Sequence, residues 1–502
     1  MTTTTATVEP SAVNGLGYSR RQILLIMSGL MLGLLLASLD QTIVSTALPT
    51  ISRDFHRVDL YSWVVTAYLL TSTASTPLYG KISDQFGRKR IFQASIVIFL
   101  IGSALAGLAQ SMYQLIIFRG VQGLGAGGLL TLTFAIVADV IPPRERGRYQ
   151  GYFGAVFGFS SVIGPLLGGF LVDQASWRWV FYVNLPVGAV ALFVVNRVLH
   201  LDFVARRTRV DVVGALLIVT GVSLFLVGVQ NAGSAARLTG SSLAFGLLGL
   251  ALITAFVFWE KRAPEPIVPL TLFRNRVFTV SNVVGFISGM VMFGALLFLP
   301  LYFQTVRHIS PTLSGLRLLP MLAGMLSMSI ISGRLISLRG RYKSFVIWGT
   351  AILAIGIGWM TTIKVDTSAW IISLMLLTVG IGVGLFMQVL LLAVQNAIPP
   401  ENMGAGTASV TFFRTLGGAV GAAVLGAVLV LQEKTNSAHF VRLYGAKEGP
   451  LQAFTHGLDT SFMYAFPVAV LAFLLSFLMR EVKLRSGPVG ARAPAIEPSG
   501  IG

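Results

Sequence analysis

The sequence predicts an all-α integral membrane protein with 14 transmembrane helices, arranged as two parallel six-helix repeats plus two inserted linking helices. Three observations carry that prediction: an apolar composition, a succession of long uncharged runs, and a lopsided placement of basic residues. Of 502 residues, 54% are hydrophobic and only 11% charged, with a mean hydropathy of +0.79. That is too little polar surface to cover a soluble globule. The net charge of +18 lies in short clusters between apolar runs and forms no basic face, which argues against a nucleic-acid partner.

The first 22 residues are polar and Thr-rich without a cleavage signal, and read as a cytoplasmic tail. Apolar runs of about the 17–25 residues that cross a hydrocarbon core then follow at 23–43, 62–80, 91–109, 113–138, 150–172 and 179–199. Two more, 212–230 and 241–259, precede a second set at 279–303, 315–336, 344–363, 369–394, 405–431 and 460–479. Barrel strands alternate over about ten residues, whereas these runs are apolar throughout, so helices are expected. With both termini cytoplasmic, about 25 of the 37 Lys and Arg residues fall inside and about 9 outside, an asymmetry that one missed span would scramble. Arg119, Arg317 and Arg414 remain within spans, Arg317 at an outer end from which it can snorkel. The least sharp boundaries are at 233–240 and in a long outer loop, Gln432 to Asp459. Cysteine is absent, and all five histidines (His56, His200, His308, His439, His456) fall in or beside expected loops without paired spacing. No metal or cofactor is expected.

A duplication underlies the two sets. Ile141-Pro142-Pro143 with Gly147 recurs as Ile398-Pro399-Pro400 with Gly404, and the register holds in both directions. Gly123, Gly125 and Gly127 fall on Gly380, Gly382 and Gly384, while Gly164 and Gly169 fall on Gly421 and Gly426. Parallel repeats of this kind place a substrate near the midplane between halves that rock against each other. The chain divides accordingly into a tail at 1–22, a first bundle at 23–200, inserted helices at 201–265, a second bundle at 266–480 and a tail at 481–502. The copies differ in charge: Asp84 matches Ser337, Arg119 matches Leu376, Pro165 matches Ala422 and Asp139 matches Asn396. Charge chemistry is thus concentrated in the first half, and the Met- and Phe-rich second half is expected to supply apolar substrate contacts.

Asp40 alone among the 19 acidic residues lies inside a span. An ionisable group there is costly and by default functional. Helix 1 runs outward and helix 4 inward, so at about 1.5 Å per residue Asp40 and Arg119 share a depth. A fixed cation favours the carboxylate and burial favours the acid, so protonation can depend on which side is open. Gln41, beside Asp40, and Arg414, about two turns inside helix 13, are further candidates for the cavity, Arg414 having a cytoplasmic latch as its other option.

The motifs around these residues carry a resemblance. Gly80-Lys81-Ile82-Ser83-Asp84-Gln85-Phe86-Gly87-Arg88-Lys89-Arg90 resembles the loop motif between helices 2 and 3 of the major facilitator superfamily. Arg119, Gln122, Gly123 and Gly125 resemble its helix-4 motif. Gly154 and Gly158, with Gly164, Pro165, Gly168 and Gly169, resemble the helix-5 motif of its antiporters. Leu39-Asp40-Gln41-Thr42-Ile43-Val44, Trp177-Arg178-Trp179 and Asn184-Leu185-Pro186 are similar to segments of the 14-helix drug:proton antiporters of the EmrB/QacA type. The resemblance implies proton coupling at Asp40 and Arg119, a conformational latch at Gly80, Asp84, Gly87, Arg88, Lys89 and Arg90, and a pliable seal along helix 5. The expected function is multidrug efflux by alternating access, exporting lipophilic compounds, cationic ones among them, against protons. The expected setting is the plasma membrane, a bacterial inner membrane, with the lipid bilayer as partner and a monomer as the unit. An exporter of one metabolite, lipid or amphiphile is the alternative; a non-transporting scaffold or sensor fits the charges less well. No enzyme is expected, because no nucleophile, base and orienter can be assembled within the spans.

Overall fold

A computed structural model describes residues 19–57, 60–141, 143–199, 211–235, 239–264, 266, 268–399, 402–482 and 484. Both expected tails lie largely outside these residues, as do Pro142, Pro400, His200 and the expected loop around Arg206, Arg207 and Arg209. The described chain is helical throughout, apart from its turns. The first half comprises α1 (Arg20–Asp54), α2 (Tyr61–Phe86), α3 (Arg88–Gly107), α4 (Met112–Val140), α5 (Pro143–Gln174), α6 (Trp179–Tyr182) and α7 (Asn184–Val198). The inserted helices are α8 (Val212–Ala235) and α9 (Gly240–Glu260). A 3-10 turn at Leu270–Arg274 leads into the second half: α10 (Arg276–Thr305), α11 (Pro311–Leu316), α12 (Leu319–Arg339), α13 (Lys343–Met360), α14 (Ala369–Ala397) and α15 (Met403–Ser476).

Ten of these helices are long and apolar enough to cross a membrane, and α8 and α10 carry shorter apolar segments. The 74-residue α15 breaks at Gly445, whose φ of 81° lies in the left-handed region. Its two arms suit two crossings, and α2 is a further helix of 26 residues, so the described helices are consistent with fourteen spans. The expected outer loop, Gln432 to Asp459, is instead helical on both sides of Gly445. An aromatic contact joins the arms: the Phe440 ring, stacked on Tyr444 of its own arm at 6.0 Å, lies 5.5 Å from His456 of the other. His439 and His456 therefore sit in a helix and not in or beside a loop.

The duplication is visible in the packing. A methyl group on Gly123 would collide with the Tyr68 carbonyl on α2, and one on Gly380 with the Met321 carbonyl on α12. Gly125 meets Phe99 on α3 in the same way that Gly382 meets Leu353 on α13; Gly164 meets Thr42 on α1, and Gly421 meets Met290 on α10. Each half thus brings its fourth helix against its second and third through small residues, which permit the close backbone approach that membrane helices use in place of a hydrophobic driving force.

Between the halves, α5 packs on α12 along one seam, where Gly158 faces Leu326 and Gly154 faces Ser329. Along the other, α8 and α9 cover α2 and α15 through Ile218, Val222, Leu226 and Phe256 against Leu70, Phe412 and Ala419. At the end where α2 turns into α3, Leu391, Val394, Ile398 and Met403 of the second half join the core formed by Phe134, Val137 and Phe153 of the first. At the opposite end, α11 reaches α5 where Gly315 meets Pro165.

Candidate functional site

Asp40 lies mid-way along α1, a helix that continues for 14 residues past it to Asp54, and is 0% exposed. Its Oδ2 accepts from Nη1 of Arg119 at 2.6 Å. Its Oδ1 accepts from Gln122 Nε2 and from Asn184 Nδ2, both at 2.8 Å. Three donors, two from α4 and one from α7, thus converge on one carboxylate of α1. Arg119 also donates to Gln122 Oε1 at 2.7 Å, and its guanidinium carbon lies 4.2 Å from the centre of the Tyr68 ring. Asn184 makes a second donation to Ser103 Oγ at 3.0 Å, and that hydroxyl donates to the Phe181 carbonyl at 2.8 Å.

Geometry explains why these residues meet. Arg119 and Gln122 are three apart on α4 and share a face, and the small residues that follow bring α4 close enough to α2 for the Tyr68 ring to cover the guanidinium. A buried pair is costly to assemble and costlier to break, because removing one partner strands a charge away from water. Two buried polar atoms of this cluster, Arg119 Nε and Asn184 Oδ1, have no hydrogen-bond partner among the described residues, and such groups mark places for a water or for a function.

Tyr68 also lines a central chamber of about 120 Å³ between the halves. The first half contributes Ser38, Gln41 and Thr42 of α1, Ser72 of α2 and Phe157 of α5; the second contributes Met292, Met321, Met325 and Met387, with Gln388 and Arg414. Gln41 and Arg414 both line the chamber. Asp40 and Arg119 do not line it; the Tyr68 ring stands between.

The expected latch residues gather at the turn between α2 and α3. Gly87 (φ 95°) makes that turn, and a side chain there would be strained. Arg88 binds Asp84 Oδ1 at 2.7 Å, Asp139 Oδ2 at 2.8 Å and Ser83 Oγ at 2.6 Å. Lys89 donates to the Asn196 carbonyl at 2.9 Å, Arg90 is exposed and Gly80 is buried. These contacts tie α2, α3, α4 and α7 to one another within the first half. Of the helix-5 residues, Gly154, Gly158 and Pro165 face the second half, while Gly164 and Gly168 pack on Thr42 and Ile43 of α1; Gly169 is buried beside them.

Sequence reasoning paired Asp40 with Arg119 and placed Gln122 in a motif, but gave Asn184 no role at the carboxylate and overlooked Ser103 and Tyr68. Asn184 carried a signal, since it stands in the Asn184-Leu185-Pro186 signature. Ser103 carried none. Asp139 was noted only as the counterpart of Asn396, and its bond to Arg88 was not foreseen.

The sequence model of the Major Facilitator Superfamily matches residues 30–422. The multidrug transporter protein MdtP of Bacillus subtilis is 38% identical over 81% of this chain and 75% of its own length. Multidrug resistance protein 3 of the same organism is 35% identical over 82% of this chain and 81% of its own. The MFS-type efflux pump MMF1 of Mycosarcoma maydis is 32% identical over 92% of this chain and 80% of its own. Among solved structures, the proton:xylose symporter XylE superposes with a TM-score of 0.66 at 15% identity, covering 94% of this chain and 99% of that one, a likeness of fold. The chain is a multi-pass membrane protein, a transporter and not an enzyme, and it belongs to the major facilitator superfamily, where it is similar to multidrug transporters and efflux pumps.

Proposed function

We propose that the protein is a proton-coupled multidrug exporter, which exchanges inward protons for an outgoing lipophilic compound by alternating access. The observation behind this reading is a single carboxylate, Asp40, fully buried, held by one fixed cation and two amides, and separated from an apolar chamber by one aromatic ring. While Asp40 is ionised, Arg119, Gln122 and Asn184 bind α1 to α4 and α7. A proton arriving from outside on a carboxylate oxygen cancels the attraction to Arg119 and frees a hydrogen-bond donor. The cluster then favours a different packing of α1, and the equilibrium between access states shifts by the difference in stability. Release of the proton to the other side restores the pair. Each charge that crosses draws about 2.3 kcal/mol from 100 mV of membrane potential.

The helix-5 glycines face both α12 and α1, where small residues allow one half to slide on the other while excluding leak. The latch around Arg88 would weight one access state. The excess of Lys and Arg on one side supports cytoplasmic termini, and the bacterial relatives support an inner membrane; a monomer holds one complete chamber. The test is Asp40→Asn in proteoliposomes under an imposed pH gradient. Asn keeps shape and hydrogen bonding but cannot cycle between charged and neutral forms. Proton flux on substrate addition is expected to vanish while weak substrate binding remains. Equal coupled flux from wild type and variant would place the proton elsewhere.

A further inference from the structure

Arg414 is a half-buried cation with nothing among the described residues to balance it. It stands on α15, 11 residues past the helix start at Met403, about 16 Å along the axis and away from the headgroup level. Among the described residues it has neither an ion pair nor a hydrogen bond, and it is the one charged side chain among those lining the chamber. Asp40 is not available to it, being fully buried and bound to Arg119, Gln122 and Asn184. Charged groups inside membrane proteins are ordinarily paired, because an unpaired one is expensive away from water.

Among the described residues, two polar atoms of the chamber, Gln388 Oε1 on α14 and Ser329 Oγ on α12, are buried without partners, as is Ser288 Oγ on α10, which lines a small adjoining pocket. The two cavities share Met292, Met387 and Arg414. In the repeat register, Arg414 corresponds to Phe157, which lines the opposite, first-half wall. One wall therefore offers a guanidinium with a hydroxyl and an amide beside it. Met292, Met321, Met325, Met387 and Phe157 add aromatic and thioether surface that adapts to varied apolar shapes.

We infer that the transported compounds carry an oxyanion, a carboxylate or its equivalent, on an apolar body, and that Arg414 is the residue that binds it. The inference rests on the exporter reading of the chamber and narrows its substrate class to acidic amphiphiles in place of lipophilic cations. A guanidinium presents a fixed fork of donors that matches a carboxylate, and Ser288 can add a hydroxyl donor to the same group. The apolar body would lie among Met292, Met321, Met325 and Met387 toward Phe157.

Binding to the purified full chain in nanodiscs tests this without reference to protons. The probes are a dansylated undecanoate, its primary amide and the matching trimethylammonium, three ligands with one body and three head groups. Wild type is expected to bind the carboxylate at least about tenfold more tightly than the other two, the scale of a lost charge-assisted bond. Arg414→Gln should remove that preference and leave amide binding within about threefold, and Arg414→Lys should keep part of it. Equal affinities in wild type, a preference for the ammonium, or a uniform loss of all three in Arg414→Gln would overturn the inference. If Arg414→Gln fails to fold, the wild-type order and Arg414→Lys decide the matter. Proton-linked export in proteoliposomes, read separately with Asp40→Asn, tells failure of the substrate class from failure of the exporter reading.

Discussion

Removing Arg119 should expose how much of the first half is held together by one carboxylate. Asp40 accepts three bonds in the structure, at 2.6, 2.8 and 2.8 Å, and only the first comes from a charge. Arg119→Met preserves the apolar stem over Tyr68 and leaves two amide donors facing a carboxylate with no counter-charge. Breaking a buried pair in this way costs about 3–5 kcal/mol. Asp40→Asn is milder, about 1–3 kcal/mol, because the amide keeps one acceptor oxygen for the guanidinium. Combining the two removes both charges, so the loss should fall short of the sum by at least about 2 kcal/mol. Interhelical hydrogen bonds in membrane proteins couple by about 0.6 kcal/mol on average and at most about 1.7, so a larger value identifies charge pairing. Reversible unfolding in mixed micelles, with each variant reconstituted in the same lipid, measures all four corners of the cycle. Additive losses would mean that Asp40 and Arg119 contribute independently, and the coupling mechanism built on their separation would fall with them.

Two further outcomes follow from particular contacts. Arg88 is shared by Asp84 and Asp139, so Asp84→Asn should shift the balance of access states with little loss of folded protein. Asp139→Asn should add to it; engineered single cysteines in this Cys-free chain report the change as labelling at opposite ends, and unchanged labelling at both ends would reject the latch. Gly125 and Gly158 separate packing from sealing. A methyl at Gly125 meets the Phe99 backbone within the first half, whereas one at Gly158 meets the movable end of Leu326 across the seam. Gly125→Ala should cut the yield of folded protein, while Gly158→Ala should keep it and slow transport; a normal yield from Gly125→Ala would contradict the close approach of α3 and α4.

Much of the fold was legible because the bilayer leaves few choices: every backbone group must be paired, so a long apolar run is a helix. The segment from Gln432 to Asp459 was not legible, since its charges, Gly445 and Gly449-Pro450 read locally as a loop. The two arms meet where Phe440 packs against His456, a tertiary contact with no local trace. The pairing of Asp40 with Arg119 was legible for the opposite reason. Charges within spans are rare enough that two at one depth have few other partners. Asn184 and Ser103 are neutral, cost the hydropathy pattern little, and so left the carboxylate's other ligands unmarked.

The duplication and its exceptions divide the molecule's tasks. Matched glycines, 123 with 380, 125 with 382 and 164 with 421, all work inside a half, where each lets one helix approach another of the same bundle. Unmatched positions gather where the charges lie or the halves face each other: Arg119 against Leu376 beneath Tyr68, Phe157 against Arg414 across the chamber, Pro165 against Ala422 at the contact with Gly315. Rigid packing within each bundle makes the seams the soft coordinate, since small-residue helix contacts resist separation while the seam relies on movable side chains such as Leu326 and the four chamber methionines. A change in charge at Asp40 therefore has two routes for relaxation, and the stiffness of the first bundle directs it along α1. From Ser38, Gln41 and Thr42 that displacement reaches the chamber wall opposite Arg414. In the proposed exchange, proton and substrate then need share no atom for one to drive the other.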